Sequence, residues 1–192
     1  MNGYAIAAAL VLGGLVATSA AAWFGAAAKP QPLAELGTVA VPGRLDPYAA
    51  DEADDYTVFS FDHTPGSIFL MGSNRPVSEV LALAVWRADK RAAALEALTR
   101  RVADRTRNIR WSPQGSGRIG EGTHEVNTSQ HAARIVVREY PERQLAIGHM
   151  VWTERSLTAQ QQMALVDATA SSFAQRMPVA DYLRLASGRV RD

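Results

Sequence analysis

The chain has 192 residues, so once an apolar N-terminal stretch is set aside the remainder suffices for one globular domain and not two. It contains no cysteine, which excludes disulfides, thiol catalysis, Cys-ligated zinc, iron–sulfur clusters and a lipid anchor at Cys. The net charge of +1 hides an asymmetry: residues 1–86 hold 3 basic against 8 acidic side chains, and residues 87–192 hold 17 against 11.

The basic half carries no RNP, zinc-finger or helix-turn-helix pattern, so neither a nucleic acid nor a nucleotide is expected as a partner. Of the basic residues only Lys29 and Lys90 are lysine, an Arg bias that together with the high Ala content reflects GC-rich coding as much as function.

Residues 4–28 contain no charge. As a helix they would span about 37 Å, enough for a hydrocarbon core of about 30 Å. Tyr4 lies near one end, Trp23 and Phe24 near the other, and Lys29, Pro30 and Pro32 stop the run. Three readings compete: an uncleaved single-pass anchor, a secretory signal cut after Ala22 or Ala28, and a buried Ala-rich helix. The absence of Lys or Arg in residues 1–3 and the length of the run favour the anchor. Small residues repeat at i+4 (Ala5, Ala9, Gly13, Ala17, Ala21, Gly25), a stripe on which a partner transmembrane helix could pack. The expectation is a single-pass protein of the inner membrane, its body on the periplasmic side, meeting the bilayer through residues 4–28.

Residues 29–55 read as a Pro-rich acidic linker, with 37–41 able to add an edge strand. The body is expected over 56–178. Residues 56–61 and 67–71 flank the turn signal His63-Thr64-Pro65-Gly66 and read as a hairpin. Residues 80–86 fit a buried strand or a helix start. From Asp89 to Thr106 the spacing predicts a helix that buries Leu95, Leu98 and Val102. Its other faces carry Arg91, Arg100, Arg101 and Arg105, the candidate partner-binding residues; a solvated helix face is the plain alternative.

Residues 108–130 hold a glycine cluster. Gly115, Gly117 and Gly120 match G-x-G-x-x-G, but no helical run follows, so a loop or hairpin tip is expected and not a dinucleotide site. Residues 131–140 and 144–153 alternate as two strands around Pro141-Glu142-Arg143, a hairpin. Thr158 and Gln161 fit a capping box ahead of a helix that carries Met163, Val166, Ala170, Phe173 and Met177 and ends at Pro178. A short helical turn over 180–186 precedes a basic tail within 179–192.

The fold class expected is α+β: an N-terminal transmembrane helix and a small antiparallel sheet covered by helices. The order of elements resembles the small sandwich domains of the PsbP/Mog1 type, a likeness of fold alone.

No nucleophile motif is present, and no cofactor or metal is assigned. His124, Glu125 and His131, with His149 as a third imidazole, form the one constellation with metal or general-base character; a tight turn over 123–130 would pair His124 with His131 across a ladder. Trp86, Trp111 and Trp152, with Phe69 and Met71, could make an exposed binding patch, although core positions suit them better. The function expected is that of a membrane-anchored, non-enzymatic accessory or assembly protein that contacts an integral membrane or envelope complex. The alternatives are an exported enzyme or metal-binding domain at His124/Glu125/His131 and an exported small-molecule-binding domain.

Overall fold

The computed structural model describes residues 28–53, 55–63, 78–126, 129–152 and 157–189. Seven strands form one antiparallel sheet: β3 (Leu45–Ala53), β4 (Tyr56–His63), β5 (Ser78–Trp86), β6 (Thr106–Gln114), β7 (Gly117–Val126), β8 (Ser129–Tyr140) and β9 (Leu145–Trp152). Their spatial order is β3-β4-β5-β9-β8-β7-β6. A small antiparallel sheet joins β1 (Lys29–Pro32), β2 (Gly37–Val41) and β10 (Ala174–Gln175), with β2 in the middle. Three α-helices complete the described residues: α1 (Arg91–Val102), α2 (Ala159–Ser172) and α3 (Val179–Arg189).

Each central strand is buried on both faces. In β5, Leu81, Leu83 and Val85 belong to one apolar cluster, and Val80, Ala82, Ala84 and Trp86 to the other. A strand covered on both sides reads as an unbroken apolar run without alternation. That is why residues 80–86 fitted a helix as well as a strand. The first cluster lies beneath α2, α3 and the small sheet, through Val166, Tyr182, Leu183, Leu33, Leu36 and Val39. The second lies beneath α1, through Ala94, Ala97, Leu98 and Val102. Helix α1 comes close because β9 offers Gly148: a Cβ there would stand 2.8 Å from Val102 Cγ1.

The helix-covered small sheet of the sequence reading is corrected. The described residues carry ten strands against three α-helices. Two stretches read as linker and loop account for the difference. Within 29–55, the prolines lie where a sheet tolerates them: Pro30 and Pro32 on β1, an edge strand of the small sheet, and Pro47 at a bulge on β3, an edge strand of the large one. Within 108–130, Pro113 lies on the opposite edge strand, β6, Gly115 in the turn that follows it, and Gly117, Gly120 and Gly122 in β7.

The single-pass, inner-membrane assignment with a periplasmic body is also corrected. Among the described residues no helix is long and apolar enough to cross a membrane. The longest, α2, has 14 residues, about 21 Å at 1.5 Å per residue. Residues 1–27, with the stripe at Ala9, Gly13, Ala17, Ala21 and Gly25, lie outside the described residues, as do 67–71 of the first hairpin.

Other expectations are met. Strands β8 and β9 pair as foreseen around Pro141–Arg143, closed by Gln144 in the left-handed region (φ 50°). At the start of α2 the Gln161 N–H donates to Thr158 Oγ1, and Thr158 N–H donates to Gln161 Oε1.

Candidate functional site

Helix α1 packs chiefly against β4, β5 and β9. The sheet continues past it through β8 and β7 to the edge strand β6, so one face of those strands is left beside the helix as a trough. The resulting groove has a volume of about 860 Å³. Arg91, Leu95, Thr99 and Arg100 line it from α1, Gly115, Ser116 and Arg118 from the β6–β7 hairpin, and Val137 and Glu139 from β8.

The four arginines singled out on the basic helix take separate places. Arg91 lines the groove and pairs with Glu139 (Nη2–Oε2 2.6 Å). Arg100 lines it without an acceptor among the described residues. Arg101 turns away: its Nη2 donates to Asp62 Oδ2 at 2.6 Å and its guanidinium lies 4.7 Å from the centre of the Tyr48 ring. Arg105 stands in the turn after α1 with φ 59°, its carbonyl accepting the Glu125 N–H.

The groove also holds a cation that the sequence reading passed over. Arg118 on β7 donates from Nη2 to Thr99 Oγ1 at 2.5 Å, and Thr99 Oγ1 donates in turn to the Leu95 carbonyl at 2.6 Å. The Arg118 guanidinium stacks 4.6 Å from the centre of the Trp111 ring. Trp111 can lie flat because Gly120 is opposite it on β7: a Cβ at Gly120 would come within 2.9 Å of Trp111 and 2.7 Å of Ile109. The glycine cluster therefore serves packing. Its G-x-G-x-x-G letters fall on the β6–β7 turn and the start of strand β7, where a dinucleotide site needs a turn that opens a helix. Of the aromatic set, Trp86 is core, Trp111 is 37% exposed, and Phe69 and Met71 lie outside the described residues.

The histidines separate as well. His124 and His131 face each other across the β7–β8 ladder. His124 is buried, its Nδ1 3.1 Å from Thr106 Oγ1. Burial lowers its pKa, the nearby Arg105 and His131 add to the lowering, and Asp104 opposes it. Glu125 pairs with Arg107 at 3.5 Å. His149 is opposite Val136, an odd number of residues along β8 from His131, so the two imidazoles emerge on opposite faces of the sheet. No group of three or more His, Asp or Glu side chains that could hold a metal exists among the described residues.

His149 belongs to a different constellation, one spread too widely in sequence to be anticipated. Glu79 on β5 is fully buried and accepts from Arg44 Nε and Nη2, both at 2.6 Å, while His149 Nε2 lies 2.8 Å from Glu79 Oε1. This network ties the segment between β2 and β3 to the centre of the sheet. The Tyr140 hydroxyl donates to Asp167 Oδ1 at 2.6 Å; burial and this hydrogen bond push the phenol far above its usual range. No family model matches this chain, and no curated protein matches it either.

Proposed function

We propose that this chain is a non-enzymatic protein-interaction domain whose groove beside α1 receives an extended acidic segment of a partner protein. The observation that carries the reading is the lining itself. Arg91, Arg100 and Arg118 stand around a floor that includes Leu95 and Val137, and Arg100 has no acceptor among the described residues. Alternating carboxylates and apolar side chains would match such a surface in charge and in hydrophobicity.

The lining offers little to catalysis. No histidine contributes to it, Thr99 commits its proton to Leu95 O, and Ser116 Oγ accepts from Arg138 Nε at 3.2 Å. Nor is β6 a ready template for strand addition. A bulge interrupts it between Arg107 and Arg110, and Pro113 lacks a backbone donor.

The test uses the full-length protein and a fluorescein-labelled peptide of alternating Glu and Leu, followed by anisotropy. The Glu/Leu peptide should bind, bind less tightly as salt rises, and lose about tenfold in affinity or more to Arg91→Glu/Arg100→Glu. Equal binding of a Lys/Leu peptide, or indifference to the double reversal, would overturn the proposal.

A further inference from the structure

Resting on that reading of the groove, we infer that Arg118 is its specificity residue: a guanidinium fixed in place before binding, which takes a partner carboxylate by paired N–H donors. Gly120 leaves room for Trp111 to lie against β7, Trp111 stacks on the guanidinium, and Thr99 accepts one of its hydrogens. Arginine has five N–H donors in a planar fork. Thr99 engages one, and the others have no acceptor among the described residues.

A flexible arginine loses side-chain entropy when it binds; one already held by a ring and a hydroxyl loses less. Arg100, one residue beyond Thr99 on α1, supplies a second and unrestrained positive charge to the same groove. The two arginines therefore divide the work. Arg100 contributes charge that a lysine can replace, whereas Arg118 contributes geometry that a lysine cannot.

Carboxylate is preferred to phosphate as the occupant because the lining also presents Glu96 and Glu139. A dianion would meet stronger repulsion from these than a single carboxylate would. The apolar floor suits a peptide side chain beside each acid.

The experiment measures binding of the Glu/Leu peptide to the full-length wild type and to Arg118→Lys, Arg100→Lys and Trp111→Leu. Each variant is first checked for a wild-type urea midpoint; Arg118→Gln replaces Arg118→Lys, and Trp111→Phe replaces Trp111→Leu, where that check fails. The inference expects a loss of about tenfold for Arg118→Lys and smaller losses for Trp111→Leu and for Arg100→Lys. In the Trp111→Leu background, Arg118→Lys should cost less than it does alone, because the fork is no longer held.

Wild-type affinity in Arg118→Lys, with the peptide still bound, overturns this inference and leaves the groove reading standing. No binding of the peptide to the wild type overturns both. Displacement of the peptide by inorganic phosphate, but not by acetate at equal ionic strength, overturns the assignment to carboxylate.

Discussion

Replacing Glu79 by Gln should unfold the protein more readily than any other single isosteric change at a buried polar side chain among the described residues. The carboxylate is fully buried and takes three close contacts, two from Arg44 and one from His149. A carboxamide can accept on its oxygen only, and because Oε1 faces both Arg44 Nη2 and His149 while Oε2 faces Arg44 Nε, the NH2 meets an Arg44 donor at either position. Where it also meets His149, a change of tautomer lets the imidazole accept that hydrogen, but Arg44 still loses half of this bidentate partner and the Glu79 charge. Breaking a buried pair costs about 3–5 kcal/mol. The Arg44 side chain is 24% exposed, and water there relieves part of the penalty, which puts the expectation near the lower end, about 3 kcal/mol. Urea unfolding should show a lower midpoint at an unchanged slope, and the melting temperature should fall by roughly 6–12 °C for a chain of this size. A loss below about 1 kcal/mol would refute the account, since it would mean that Arg44 and His149 are satisfied without the carboxylate.

Two further outcomes follow from the same geometry. Gly148→Ala should cost about 1–3 kcal/mol by pressing on Val102, and Val102→Ala should reverse part of that loss; strictly additive unfolding free energies would show that α1 does not bear on Gly148. His124 is held below the ordinary imidazole value of 6.5, so the unfolded chain binds the proton more readily than the folded one. Stability should therefore fall as pH drops from above 6.5 through the folded-state value, and His124→Gln should flatten that slope in urea titrations at several pH values; an unchanged slope would assign the pH dependence to other groups.

The parts of the fold that could be read in advance are those governed by neighbours in sequence. Strands β8 and β9 alternate around a three-residue turn, and the Thr158–Gln161 box spans four residues. Helix α1 shows its apolar spacing within twelve. The parts that could not be read depend on position in a sheet. Proline signals a break in an isolated segment but is harmless on an edge strand, so β1, β3 and β6 were hidden by Pro30, Pro32, Pro47 and Pro113. Gly120 looked like loop chemistry because the side chain that fills its space, Trp111, comes from the neighbouring strand. The site followed the same rule. Arg91 and Arg100 were visible as a helix face. Arg118 was not, since only the β6–β7 hairpin brings it to Thr99, and Glu79 finds its partners 35 residues before and 70 residues after it.

Structure and proposed function meet at α1. Its seat on the sheet depends on Gly148, which fixes how far the helix stands from β9 and hence the depth of the groove beside it. Its far side is tied to the projecting hairpin by one hydrogen bond, from Arg118 to Thr99. Without that tie the hairpin tip would move independently of the helix. A partner segment lying between Arg100 and Arg118 would contact both walls at once. Binding should therefore stiffen the β6–β7 hairpin relative to α1, since any motion that opens the groove would break contacts to the bound chain. Slower hydrogen exchange of the β7 and β8 amides near Arg118 in the presence of the Glu/Leu peptide, with no change in the β1–β2 pair on the opposite face, is the dynamic signature that this arrangement requires.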